Sequence, residues 1–277
     1  MSRPLRTFFP TSLSHFLAES LELSEGDLLS GLRDFYSSCP FFSKLFFRSL
    51  SELLEQEDSP EAGHTPSFDG TLSWEWGSSS PRVSSCLSEI EVFSLEEARS
   101  VFDVLLETEP LHPFWKAVYG TQIPSDGLFV YIPPGESVVI DFSPFFLKKK
   151  WLEQATFYFV LGKGASLRLS ERVTASPGKH WVQIYLHLLG QKGSSLILER
   201  EWSRLACPVS LFTSIHLEKE ASCTCLSRGA ASPWTWADYS VLLSGEEARV
   251  CLGAAHSLTA RQRFAITTAV RHVAPRT

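Results

Sequence analysis

The rhythm of apolar and polar positions changes at Asp126. Before it, apolar residues recur at helical spacing; after it, they alternate at a period of two. Five later segments share one form: an apolar stretch, a short turn rich in Gly, Lys or Glu, then an alternating strand. They span 132–140, 161–169, 189–198, 217–225 and 243–251. Aligned on Glu136, Ala165, Ser194, Ala221 and Ala248, they repeat at intervals of 29, 29, 27 and 27 residues. A nearly constant period of this length marks a solenoid, in which each unit buries its apolar face only against its neighbours. Each unit is strand, turn, strand with no helical stretch, so the pattern predicts a β-helix. The small residue that follows most turns fits this, because only a small corner side chain lets stacked rungs approach to the ~4.8 Å strand spacing.

Four regions follow from the pattern: a helical N-terminal region over 1–56, a linker over 57–93, helices leading into the core over 94–125, and the β-helix core over 126–277. In the first, Ser12, Ser14 and Ser24 are candidate caps, and Leu28, Leu29, Leu32 and Phe35 recur at helical spacing. Phe42, Leu45, Phe46, Leu50, Leu53 and Leu54 then form one broad stripe, as on a helix docked against other helices. The next stretch is rich in Ser, Gly, Pro and acid. Within it Trp74-Glu75-Trp76 reads as a short strand or an anchor. Ser94 with Glu97 has capping-box spacing, and Val101, Phe102, Val104, Leu105 and Leu106 give the following helix its apolar side. A second short helix is expected over 112–119. From Gly127 the strands begin, with a first one over 127–132 that stops at Pro133-Pro134-Gly135.

Composition narrows the picture modestly. A chain of 277 residues that is 44% hydrophobic and 20% charged can bury a sizeable core. Its net charge of −6 argues against a nucleic-acid surface, and the basic run Lys148-Lys149-Lys150 reads as a solvated loop edge. No stretch approaches the ~18 apolar residues of a membrane span. The N-terminus lacks the continuous apolar core of a signal peptide, so no membrane and a cytoplasmic location are expected. The six cysteines, Cys39, Cys86, Cys207, Cys223, Cys225 and Cys251, form no C-x-x-C pair and suit a reducing compartment.

Little in the residues points to chemistry. Cys223 and Cys225 share one face of a strand, as two soft ligands for iron or an iron–sulfur cluster would. Two small apolar side chains filling a narrow core would look the same, and the neighbouring Leu217 and Leu226 favour that reading. His187, His216, His256 and His272 lie in the repeats without the spacing of a metal motif. Gly162-Lys163-Gly164 precedes a strand and lacks phosphate-loop spacing. No catalytic, cofactor-binding or metal-ligating residue is expected, and the chain reads as a non-enzyme.

The segment Asp126-Gly127-Leu128-Phe129-Val130-Tyr131-Ile132-Pro133-Pro134-Gly135 resembles the opening of the core domain in the SufB/SufD family. Ala221 to Gly229 and Tyr239 to Val250 are similar to a second family pattern. Gln262 followed by Val270-Arg271-His272-Val273-Ala274-Pro275-Arg276-Thr277 resembles a third, with Ala265 in place of the family's acid. Upstream, His112 to Ala117 is similar to the short helix before the core. The likeness covers about the last 165 residues, and the helical N-terminus suits SufD more than SufB.

The resemblance implies a right-handed parallel β-helix acting as a SufD-like scaffold subunit of the SUF iron–sulfur cluster assembly system. Its implied partners are a SufB-like subunit and a SufC-like ATPase. No cofactor is expected to be firmly bound, and a transient iron–sulfur cluster belongs to the whole complex. Family members continue beyond the position of Thr277 into further rungs, a Cys/His-containing segment and ATPase-binding helices, so the resemblance carries no functional residue to this chain. The last strand, Phe264 to Val270, is then expected to present an open edge that associates or aggregates. Alternative readings are a β-helix interaction module anchored by Trp234 and Trp236, a degenerate family member without assembly activity, and a sugar-acting enzyme. The last would need exposed acid pairs along one strand row.

Overall fold

From Ser137 onward the alternating segments fold into ten consecutive strands that switch between two sheets at every step. The computed structural model describes residues 72–75, 82–83, 90–98, 126–147, 152–176, 180–203, 205–230, 232–258 and 262–277. The strands are β1 (Leu72–Glu75), β2 (Arg82–Val83), β3 (Glu91–Ser94), β4 (Gly127–Ile132), β5 (Ser137–Phe146), β6 (Leu152–Leu161) and β7 (Ser166–Ala175). They continue as β8 (Trp181–Gly190), β9 (Ser195–Ser203), β10 (Val209–Leu217), β11 (Ser222–Ala230), β12 (Trp234–Leu243), β13 (Arg249–Ser257) and β14 (Arg263–His272). Sheet A runs β13-β11-β9-β7-β5-β1-β2 and sheet B runs β14-β12-β10-β8-β6-β4-β3. All pairings from β4 to β14 are parallel. The molecule is therefore a mainly β, parallel solenoid of about five turns, as the repeat predicts.

The register follows the sequence period. Ser137, Ser166, Ser195, Ser222 and Arg249 lie side by side at the start of the sheet A strands. Most inward positions are apolar in both sheets. One row of sheet A carries Ile140, Leu169, Leu198, Cys225 and Leu252, and one row of sheet B carries Phe159, Leu188, Ile215, Val241 and Val270. Full burial of such a side chain stabilises by roughly 1.5–3 kcal/mol, so these rows dominate the driving force for stacking. Trp202 adds the largest apolar surface, and its indole lies directly over Gly229. A Cβ built there would come within 2.3 Å of the ring, so this position must be glycine.

The corner after each sheet B strand is a four-residue β-turn. The N–H groups of Glu136, Ala165, Ser194, Ala221 and Ala248 donate to the carbonyls of Pro133, Gly162, Gln191, Glu218 and Gly245. The third residue of each turn is left-handed: Gly135 (φ 78°), Gly164 (69°), Gly193 (69°), Glu220 (61°) and Glu247 (61°). With no positive φ at the second residue, these are type II turns, whose third position favours glycine. The turns also bond to one another. The N–H groups of Gly135, Gly164, Gly193 and Glu220 donate to the carbonyls of Lys163, Lys192, Lys219 and Glu246 in the next rung, building a continuous rib. Ala165, Ser194, Ala221 and Ala248 are all buried at these corners. A sixth turn, at 274–277, holds Arg276 at φ 59°.

The first rung is closed by pairing of another kind. β3 runs antiparallel to β4, while β1 lies parallel to β5 and carries β2 antiparallel on its far side. The linker expected over 57–93 thus supplies three short strands, and Trp74 sits in one of them, buried against Phe146 and Phe157. The capping box forms as predicted. The Glu97 N–H donates to Ser94 Oγ (3.2 Å), the Ser94 N–H donates to Glu97 Oε2 (2.9 Å), and residues 95–98 are helical. The helical N-terminal region over 1–56, the remainder of the helices over 94–125 and the lysine run at 148–150 lie outside the described residues. At the far end β13 and β14 pair on one side only among the described residues, and the inward-row residues Ile266 and Val270 are exposed. No helix among the described residues is long and apolar enough to cross a membrane.

Candidate functional site

The paired thiols sit in the core. Cys223 and Cys225 face inward on β11 and are buried, and so is Cys207 before β10. Burial pushes the Cys225 thiol up to about 11 and Cys207 up to about 12, and it raises Cys223 as well. All three are therefore protonated at neutral pH, which makes them poor nucleophiles and poor soft ligands. Cys251 is the exposed one, on the outward face of β13. Cys39 and Cys86 lie outside the described residues. Among the described residues no group of three or more His, Cys, Asp or Glu is placed to hold a metal ion.

Stacking does not bring the histidines together. His187 lies between Tyr158 and Ser214 in sheet B, and His216 lies between Leu189 and Leu242. His187 stacks on Tyr158 at 4.4 Å, and burial pulls it down to about 4, so it is neutral at pH 7. His256 faces inward at the last rung, 5.1 Å from Trp202 and 3.8 Å from Phe264. His272 is exposed at the end of β14. His216 does meet a partner the sequence did not offer: its Nε2 lies 2.8 Å from Ser244 Oγ. That hydroxyl donates to the Leu217 carbonyl at 3.1 Å. Placed between the imidazole and a backbone carbonyl, the hydroxyl ties two rungs together.

A polar layer crosses the interior of the middle rungs. Glu171 on β7 and Arg200 on β9 are neighbours in register, both with fully buried side chains, and Arg200 Nε donates to Glu171 Oε2. Arg200 Nη1 reaches across to sheet B and donates to Thr213 Oγ1 at 2.7 Å. Burial works against the Arg200 charge, but the attraction and hydrogen bond of Glu171, together with Tyr239 and Cys225, outweigh it and hold the guanidinium above its ordinary value. Cys225 and Tyr239 lie close enough to feel that charge. Sequence reading missed this layer. The charges stand two residues past the leucines of their strands, at inward parity, and that alternation was the one available signal.

The outward faces differ. On sheet A, Arg168 pairs with Glu199 (2.9 Å) and Arg228 with Glu201 (3.0 Å), all partly exposed. Glu199 and Glu201 are the two acids a sugar-acting reading would want side by side. Each is paired with an arginine rather than with another acid. On sheet B the outward residues Trp181, Tyr185, Phe212 and Trp236 are buried. Trp181 Nε1 donates to Ser210 Oγ at 3.0 Å, and Gln154 Nε2 donates to Gln183 Oε1 at 2.8 Å. Trp236 is thus no exposed anchor, and Trp234 leans edge-on against Trp181 and Trp236. No family model matches the chain, and no curated protein matches it in sequence.

Proposed function

We propose that the chain is a SufD-like scaffold component of the SUF iron–sulfur cluster assembly system, acting with a SufB-like subunit and a SufC-like ATPase. One observation carries this reading: the resembling stretches run along the solenoid strands and into three of its corner turns. The first covers β4 and its turn through Gly135, and the second covers β11 from its corner residue Ala221 to Gly229, then β12 from Tyr239, the turn at 245–248 and the start of β13. The third ends β14 and forms the turn at 274–277. The shared residues are then those that make the coil stack. On this reading the coil is right-handed, the protein is cytoplasmic and non-enzymatic by itself, and the cluster is a cargo of the whole complex.

Co-purification tests it. A tagged chain expressed beside SufB-like and SufC-like proteins should retain at least the SufB-like subunit through gel filtration. Capture of neither, under conditions where those two bind each other, would sink the assignment. The second reading, an interaction module or degenerate member without assembly activity, is favoured by the burial of Cys223 and Cys225. It expects a stable complex whose rate of cluster formation does not change when this chain is added.

A further inference from the structure

We propose that the polar layer of Glu171, Arg200 and Thr213 is a register clamp, selecting one alignment of rungs where an all-apolar interior would accept several. Inward positions along these strands are close to interchangeable: Leu167 and Leu169 on β7, Leu196 and Leu198 on β9, Leu211 and Ile215 on β10. A slip of one residue is blocked, because it turns the inward face outward. A slip of two keeps every inward side chain inward, and outside the charged layer it is opposed by the turn rib and by the seating of Trp202 over Gly229. The loops on the corner opposite the turn rib could absorb it, since the period already varies between 29 and 27 residues.

The charged pair removes that freedom. In the observed register Glu171 faces Arg200. A slip of two would set Glu171 against Leu198 or Trp202, and Arg200 against Leu169 or Val173, each time leaving an unpaired charge in a dry interior. Thr213 extends the constraint to the other sheet, because a shifted β10 would present Leu211 or Ile215 to the guanidinium instead of a hydroxyl. The layer is also poorly optimised for stability. Glu171 Oε1 and Arg200 Nη2 are buried without a hydrogen-bond partner, and buried ion pairs commonly do no better than an apolar replacement. Selection of register explains a feature that added stability does not.

The test uses the full chain and three variants. Glu171→Leu alone strands Arg200 and should lower the folding equilibrium constant by roughly 10²–10⁴-fold. The triple variant Glu171→Leu, Arg200→Met, Thr213→Val should recover to within about tenfold of the parent in urea. Amide exchange in its β7, β9 and β10 should nevertheless run at least ~10 times faster relative to β4 and β6, as alternative registers open. Thr213→Val, the mildest change, should speed exchange in β10 and leave β7 unaltered. A triple variant with parental protection would overturn the proposal, and one that fails to fold would make the layer a stabilising element rather than a clamp. Unchanged exchange in Thr213→Val would remove the cross-sheet part.

Discussion

Gly164 isolates the backbone cost of the turn rib. Its φ is 69°, and a Cβ built there meets nothing within 4 Å, so Gly164→Ala introduces no clash. Holding an L-residue in the left-handed region costs roughly 1–2 kcal/mol. Alanine also lowers the entropy of the unfolded chain, which offsets about 0.4–1 kcal/mol of that. A net loss of about 0.5–1.5 kcal/mol follows. Glu247, at φ 61°, occupies the equivalent position and makes no salt bridge among the described residues. Glu247→Gly should therefore gain about 0.5–1 kcal/mol by the same balance run in reverse. Lys163→Ala, on an exposed second turn position, serves as a near-neutral control. Urea unfolding followed by tryptophan fluorescence reads all three midpoints. If both turn variants shifted the same way, or Gly164→Ala stabilised, the left-handed position would not be what governs these corners.

Ala221→Leu should overpack a fully buried corner and cost roughly 1–3 kcal/mol, while Lys219→Ala, losing only exposed pairs with Glu220 and Glu246, should be near neutral; equal denaturation midpoints would remove the stacked-corner account. A thiol reagent at pH 7.5 should label Cys251 in the native chain quickly and leave Cys207, Cys223 and Cys225 unlabelled until urea is added; fast native labelling of Cys225 would contradict its burial. Burial pushes the Asp238 carboxyl up from 3.8 to about 6, so its contribution to stability is fully present below the unfolded value and falls as pH rises through about 6. Asp238→Asn should therefore flatten the decline between pH 4 and 7, gaining up to ~3 kcal/mol at pH 7, and identical pH profiles for parent and variant would refute this. The 277-residue chain should self-associate with rising concentration through the exposed edge of β13 and β14; sedimentation as a monomer throughout would mean that this edge is protected.

The solenoid was legible because it repeats. A rung is stable only when the next one presents the same pattern, so the 27–29-residue period and the small corner residues were forced into view in the sequence. The turn type was half legible. Gly135, Gly164 and Gly193 announce a left-handed position, but Glu220, Glu247 and Arg276 hold it without announcing it, since the cost of about 1–2 kcal/mol per residue is small against the ladder that enforces it. Trp74 could be a strand or an anchor from sequence, because a four-residue strand leaves too short a pattern to decide; pairing with β5 and burial against two phenylalanines decide it. The Ser244–His216 contact left no signal and the Glu171–Arg200 pair only its inward parity, because each joins residues 28 or 29 apart whose meeting depends on the register itself.

A scaffold needs surfaces more than a reaction centre, and the two outward faces are built for different tasks. Sheet A presents a flat, exposed face on which Arg168, Glu199, Glu201 and Arg228 neutralise one another in pairs, with Val139, Ile197 and Leu226 exposed between them. Exposed pairs of this kind contribute about 0–1 kcal/mol each, so re-pairing them with a partner costs little, while the exposed aliphatics offer area to bury. Sheet B's outward face is largely committed: Trp181, Tyr185, Phe212 and Trp236 are buried, with Trp181 Nε1 donating to Ser210 and the Tyr185 hydroxyl to Gln183. The thiols and the charged layer face the interior, where they shape the coil. What the described residues leave for a partner is therefore the face of sheet A, presented by backbone geometry that the turn rib ties together.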